Sequence, residues 1–156
     1  ELGYTDLIVI GEDHKKINRL ILVHLPVGPT AIFRMSGVKL PNEVHNHATR
    51  TSHNPEMIVT NFKTPIGLMI STMLQKLFSP CENLLGRQVA TWHNQKDFIF
   101  FRQFRYMFES GKNAALQEIG PRFTLKLQRL LTGLYSCEDI DLIWSFKNKF
   151  ENPKRC

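Results

Sequence analysis

Residues Gly86–Leu131 read GRQVATWHNQKDFIFFRQFRYMFESGKNAALQEIGPRFTLKLQRLL. Two properties coincide in this stretch. The first is strand grammar. Arg87 to His93 is rich in β-favouring residues (Val89, Thr91, Trp92), and Asn94-Gln95-Lys96-Asp97 is a polar break that suits a hairpin turn. Phe98 to Phe108 then runs extended. Alternation places Phe98, Phe100, Arg102, Phe104, Tyr106 and Phe108 on one face, and Ile99, Phe101, Gln103, Arg105 and Met107 on the other. Each face carries apolar bulk interrupted by an arginine, which a sheet tolerates only if the guanidinium is paired or reaches water. Gly111 and Gly120-Pro121 mark further turns. Beyond them Arg122, Thr124, Lys126 and Gln128 point one way, and Phe123, Leu125 and Leu127 the other, as in a half-buried strand with a basic outer face. The second property is charge. Eight basic side chains stand against three acidic ones, a net +5 of the chain's total +6. A field that attracts a polyanion is therefore local to this stretch.

Working outward toward the N-terminus, Thr64 is a good N-cap and Pro65 suits a first helical position. Ile66, Ile70, Met73, Leu74 and Leu77 then fall on one helical face, and Pro80 ends the helix near Phe78. Pro80 to Leu85 reads as loop. Glu56 to Phe62 precedes the helix as a strand. Pro41 to Pro55 is poor in apolar residues and rich in Asn, His and Thr, and reads as an exposed linker. Ahead of it, Thr5–Ile10, Arg19–Leu25 and Thr30–Leu40 read as three strands of an antiparallel meander. His14 to Arg19 is turn-like, and Pro26-Val27-Gly28-Pro29 is a second turn. In the third strand Ala31, Phe33 and Met35 oppose Ile32, Arg34 and Ser36. After Gly133 the pattern weakens. Ile140, Leu142, Trp144 and Phe146 alternate like a strand, Asp139, Ile143, Phe146 and Phe150 fit a helix, and Asn152 to Cys156 reads as a frayed end.

The 156 residues suit one domain, and 42% hydrophobic content is enough for a core. The pI near 9.4 favours an acidic partner. No run approaches the roughly 18 apolar residues of a membrane helix, and no signal peptide is visible. Cys81, Cys137 and Cys156 form no CxxC pair and read as free thiols. Cys81 has no basic neighbour or histidine motif that would make it a nucleophile. His45, His47 and His53 lack acidic or thiol companions, so loop histidines without a metal are the better account. Glu12 with Asp13, and Glu138 with Asp139 and Asp141, read as solvated acids. There is no P-loop and no GxGxxG. The expectation is a non-enzyme without cofactor or metal.

Three runs of the chain closely resemble the Brix-domain family, whose members assemble ribosomes. They are Gly86-Arg87-Gln88-Val89-Ala90-Thr91-Trp92-His93-Asn94-Gln95, Asp97-Phe98-Ile99-Phe100-Phe101-Arg102, and Gln117-Glu118-Ile119-Gly120-Pro121-Arg122-Phe123-Thr124-Leu125-Lys126-Leu127, the last being the family's hallmark. Weaker likeness extends back to Tyr4 and fades after about Gly133. The resemblance implies an α/β fold with a mixed sheet built from two similar halves. Residues 1–40 would be a partial N-terminal half, 41–55 the linker, 56–135 the C-terminal half and 136–156 a divergent tail. Family domains open with a strand, a helix and a further strand ahead of the region matching Thr5–Ile10, so the N-terminal half is expected to be incomplete. The family linker is also more basic than this one, and its helix carries arginines where this chain has Pro65 and Ser71-Thr72. A tryptophan-bearing strand near Trp144 and a hairpin hydrogen bond for His93 are further expectations.

Functionally, the resemblance implies a non-catalytic scaffold in the nucleus and nucleolus. It would bind the ribosomal RNA precursor during large-subunit assembly, beside a small assembly-factor protein and away from membranes. The basic face then becomes the candidate RNA contact, through Arg87, Lys96, Arg102, Arg105, Arg122, Lys126 and Arg129, using phosphate contacts and stacking on unpaired bases. Most phenylalanines are expected in the core. The alternative is a protein-interaction module, or a truncated copy with weakened RNA binding, that takes a partner on an open sheet edge.

Overall fold

A computed structural model describes residues 3–78, 84–110, 113–134 and 141–146. The three cysteines, the loop opening at Pro80, the turn at Gly111, Glu138, Asp139 and the tail from residue 147 lie outside the described residues.

The described strands form one mixed sheet with one α-helix on one side. β1 (Asp6–Asp13), β2 (Lys16–His24) and β3 (Thr30–Lys39) make the expected antiparallel meander. β4 (Glu56–Thr60) leads into α1 (Pro65–Lys76), which crosses over so that β5 (Gln88–Gln95) runs parallel to β4. β6 (Phe98–Ser110), β7 (Asn113–Glu118), β8 (Arg122–Leu131) and β9 (Leu142–Ser145) are added antiparallel. Across the sheet the order is β1-β2-β3-β8-β6-β5-β4. β6 divides one edge between two partners, pairing β8 through Phe98–Phe101 and β7 from Phe104 onward. β9 continues the same side of β8 past β6, which supplies the strand expected around Trp144.

Local chemistry explains each element. The Thr64 hydroxyl accepts from the Gly67 N–H at 3.0 Å, and Pro65 occupies the first turn, where its missing N–H costs nothing. The polar break before β6 is tighter than the sequence suggests. Asn94 and Gln95 pair with Ile99 and Phe98, leaving a two-residue turn at Lys96-Asp97, both with positive φ. Such turns match the twist of the flanking strands. His14-Lys15 turns the same way, so β2 starts at Lys16, earlier than its apolar run predicts. Its first residues, Lys16 to Arg19, are solvent-facing and polar apart from Ile17, so they carry little strand signal.

The helix side of the sheet holds the core. Ile70, Met73 and Leu74 pack with Leu20, Leu22, Phe33, Ala90 and Leu125. Phe101 sits among three rings, with centroids 4.5 Å from Trp92, 4.8 Å from Phe123 and 6.3 Å from Phe78. The alternation in β6 is thereby resolved: Ile99, Phe101 and Gln103 are buried, while Phe98 faces away. α1 does not cover β1. Ile8 and Ile10, on the helix side by register, remain 47% and 58% exposed.

The linker is less free than its composition implies. Val44, Ala48 and Pro55 are buried. The Ala48 N–H donates to the Glu118 carbonyl at 2.8 Å, and the Gln117 amide donates to the Asn46 carbonyl at 3.0 Å. Gly120 has φ of +74°, and a Cβ there would sit 3.0 Å from the Pro41 Cα, so the hallmark glycine lets linker and β8 meet.

Candidate nucleic-acid interface

Directly paired residues share a face, so the ladders define the side opposite α1. One transverse row reads Arg19 (β2), Arg34 (β3), Lys126 (β8), Phe98 (β6), Gln95 (β5). The next reads Ser36, Thr124, Phe100, His93, Thr60. No element among the described residues packs across these rows as α1 does on the other side. The face is therefore cationic over β2, β3 and β8, and aromatic over β6.

At the cationic end Arg19, Arg34 and Arg129 line one concavity with Asn18 and Gln128. All three arginines are exposed, and none has a carboxylate within ion-pair distance among the described residues. Three neighbouring guanidiniums without a counter-charge repel one another and concentrate positive potential in a depression, the arrangement that draws in a polyanion. Lys126 lies beside them, its Nζ 4.1 Å from the Phe146 ring centroid and 4.9 Å from that of Phe98. Rings at these distances attract the ammonium through their negative faces.

The seven residues singled out from the sequence fall into three groups. Arg129 joins Arg19 and Arg34 in the cationic cluster, while Lys126, paired with Arg34 in the ladder, lines a separate concavity with Ile66, Ile70, Trp144 and Phe146. Arg102 and Arg122 turn to a carboxylate: Arg122 Nη1 donates to Glu118 Oε2 at 3.2 Å, and Arg102 Nη1 lies 3.6 Å from the same oxygen. One acid thus offsets part of two cations at that end. Arg87, Lys96 and Arg105 are exposed but scattered. Arg87 precedes β5, Lys96 sits in the β5–β6 turn, and Arg105 falls by alternation on the helix side, opposite Gln88 and Gln117.

Arg19 and Arg34 are the additions. Local charge could not find them, because Asp6, Glu12 and Asp13 balance the basic residues nearby. The available signal was alternation, which sets Arg34 apart from buried Phe33 and Met35. What makes them a site is pairing with β8, a long-range property.

His93 departs from expectation. Its Nδ1 lies 2.8 Å from the Thr60 hydroxyl, so it ties β5 to β4 and does not serve the hairpin. Edge pairing has first claim, because β4 lies directly alongside while the turn is three residues on. Of the linker histidines, His47 bonds the Val44 carbonyl and His53 the Thr51 hydroxyl. Among the described residues no three His, Cys, Asp or Glu side chains group as metal ligands would, and no helix is long and apolar enough to cross a membrane.

A mixed sheet with one crossover helix, a Gly-Pro opening to a basic strand and a cationic open face define the class, and the chain belongs to the Brix-domain family: residues 1–129 match the Brix domain. Within that family its similarity is to ribosome production factor 1. It is 50% identical to "Ribosome production factor 1" of Mus musculus over 153 residues, covering 97% of this chain and 44% of that protein. It is 40% identical to the Saccharomyces cerevisiae protein of the same name, covering 98% and 50%. It is 45% identical to "Probable ribosome production factor 1" of Drosophila melanogaster, covering 94% and 38%. The chain spans about half or less of the length of these curated relatives.

Proposed function

We propose that this chain is a non-catalytic ribosome-assembly module that binds the ribosomal RNA precursor during maturation of the large subunit, in the nucleolus and beside a small assembly-factor protein. The observation that carries the reading is the convergence of Arg19, Arg34 and Arg129, without carboxylate partners among the described residues, in one concavity of the open face. The names of the relatives, which speak of ribosome production, support this reading. Phosphate contacts from such a patch supply affinity and position RNA while reading little sequence, which suits a scaffold.

Titrating the chain with a precursor-rRNA transcript at rising salt tests this. With Arg19, Arg34, Lys126 and Arg129 each releasing counterions, log K should fall against log salt with a slope of about −3. A flat line counts against phosphate binding.

The outer strand favours a second reading. Among the described residues no strand pairs with the outer edge of β1, and Leu7, Ile8, Val9 and Ile10 are each more than two-fifths exposed. A protein partner adding a strand there would cover them. Capture from nuclease-treated extract separates the readings: a partner retained without RNA supports strand addition, and one lost with the RNA supports the first.

A further inference from the structure

We propose that the open face takes an unpaired RNA strand rather than a duplex, with one base stacked on Phe100 and its backbone phosphates on the arginine cluster. This rests on the RNA reading above and names the form of RNA that the site accepts.

A second concavity on the same face carries the inference. It is lined by Thr91, His93, Gln95, Phe100 and Arg102. Its aromatic member is Phe100, which alternation turns away from the core that claims Ile99 and Phe101. Its rim is polar and partly committed. Thr91 donates to the Arg102 carbonyl, and His93 Nδ1 is engaged by Thr60. The Gln95 amide, His93 Nε2 and the remaining Arg102 N–H groups have no partner among the described residues. A flat apolar floor with donors and acceptors around it fits a nucleobase, whose π-face stacks and whose edge hydrogen-bonds.

Phe98 is a weaker platform although it is 39% exposed, because the Lys126 ammonium already lies over its ring. Phe100 is half-buried, but no cation lies over its ring among the described residues. Position gives the path. Arg34 lies on β3 and Phe100 on β6, with β8 between them. Two strand spacings of about 4.8 Å put base platform and phosphate cluster within roughly 10 Å across the sheet, before any offset along the strands. A strand crossing β3, β8 and β6 can therefore use both at once. A-form duplex cannot do so, since its bases are stacked inward and its wide groove exposes riboses and base edges, not π-faces.

The test uses the whole chain and two fluorescein-labelled RNAs of equal nucleotide number and charge, one unpaired and one folded on itself as a hairpin duplex, with affinity read by anisotropy. The unpaired RNA should bind about tenfold tighter or better. Phe100→Leu, which keeps apolar bulk and removes the ring, should weaken unpaired RNA by about tenfold and leave the duplex unchanged. Because Phe100→Leu could disturb the sheet, Phe100→Trp gives an independent readout. Its added emission, above that of Trp92 and Trp144, should be quenched by the unpaired RNA and not by the duplex. Equal or tighter duplex binding, equal weakening of both RNAs by Phe100→Leu, or absent quenching overturns the proposal and leaves phosphate binding standing. Failure of both RNAs to bind the unmodified chain overturns the underlying RNA reading as well.

Discussion

Phe101→Ala is expected to lower the stability of the fold by about 3–5 kcal/mol, the range for removing a ring from a packed core. Phe101 is 5% exposed and is surrounded by Trp92, Phe123 and Phe78. Those neighbours come from β5, β8 and the segment just after α1, which cannot all close on the vacancy together. A domain of this size has a total stability of about 5–15 kcal/mol, so the loss is a large share of it. Urea unfolding should show a lower midpoint with an unchanged slope. Phe98→Ala is the matched control. It removes the same side chain three residues earlier from the opposite face, where the ring is 39% exposed, and should cost about 1 kcal/mol. Equal losses from the two variants would mean that the faces of β6 are assigned the wrong way round.

The second large effect falls on binding. Arg34→Glu combined with Arg129→Glu should cut affinity for precursor rRNA by at least about a hundredfold at physiological salt. Each charge-assisted hydrogen bond to phosphate is worth about 1.5–3 kcal/mol, and each 1.4 kcal/mol is a factor of ten. The salt slope should become shallower by about 1.5, roughly 0.7 for each phosphate contact removed. Both side chains are exposed and unpaired among the described residues, so thermal unfolding should hardly move. Arg105→Glu makes the same kind of change on the helix side and should alter affinity by less than about threefold. If Arg105→Glu were as damaging as the double variant, binding would follow net charge and the patch would have no special place in it.

Much of this architecture was readable in the chain because it is written in short-range patterns. The Thr64-Pro65 start of α1, its Ile70-Met73-Leu74 stripe and the alternation of Ile99 and Phe101 against Phe98 and Phe100 depend on neighbours a few residues apart. The site was only half readable, for the opposite reason. Whether an arginine counts toward a patch depends on what faces it across the sheet. Arg122 and Arg102 look as available as Arg129 in sequence, yet Glu118 from β7 occupies both. Arg19 and Arg34 sit in a locally neutral stretch, yet pairing of β3 with β8 delivers them to Lys126 and Arg129. The tight Lys96-Asp97 turn was hidden too, since neither residue is the glycine or asparagine that usually announces a positive φ.

The seam between β3 and β8 has a consequence for how the molecule is born. Thr30–Lys39 leaves the translating machinery long before Arg122–Leu131 exists, so while the intervening residues are made the meander waits with a raw flank. Closure must draw together segments far apart along the polymer, which makes such topologies slow to mature and vulnerable to mispairing while they wait. The nascent protein is thus most exposed to aggregation in the interval before its hallmark strand emerges.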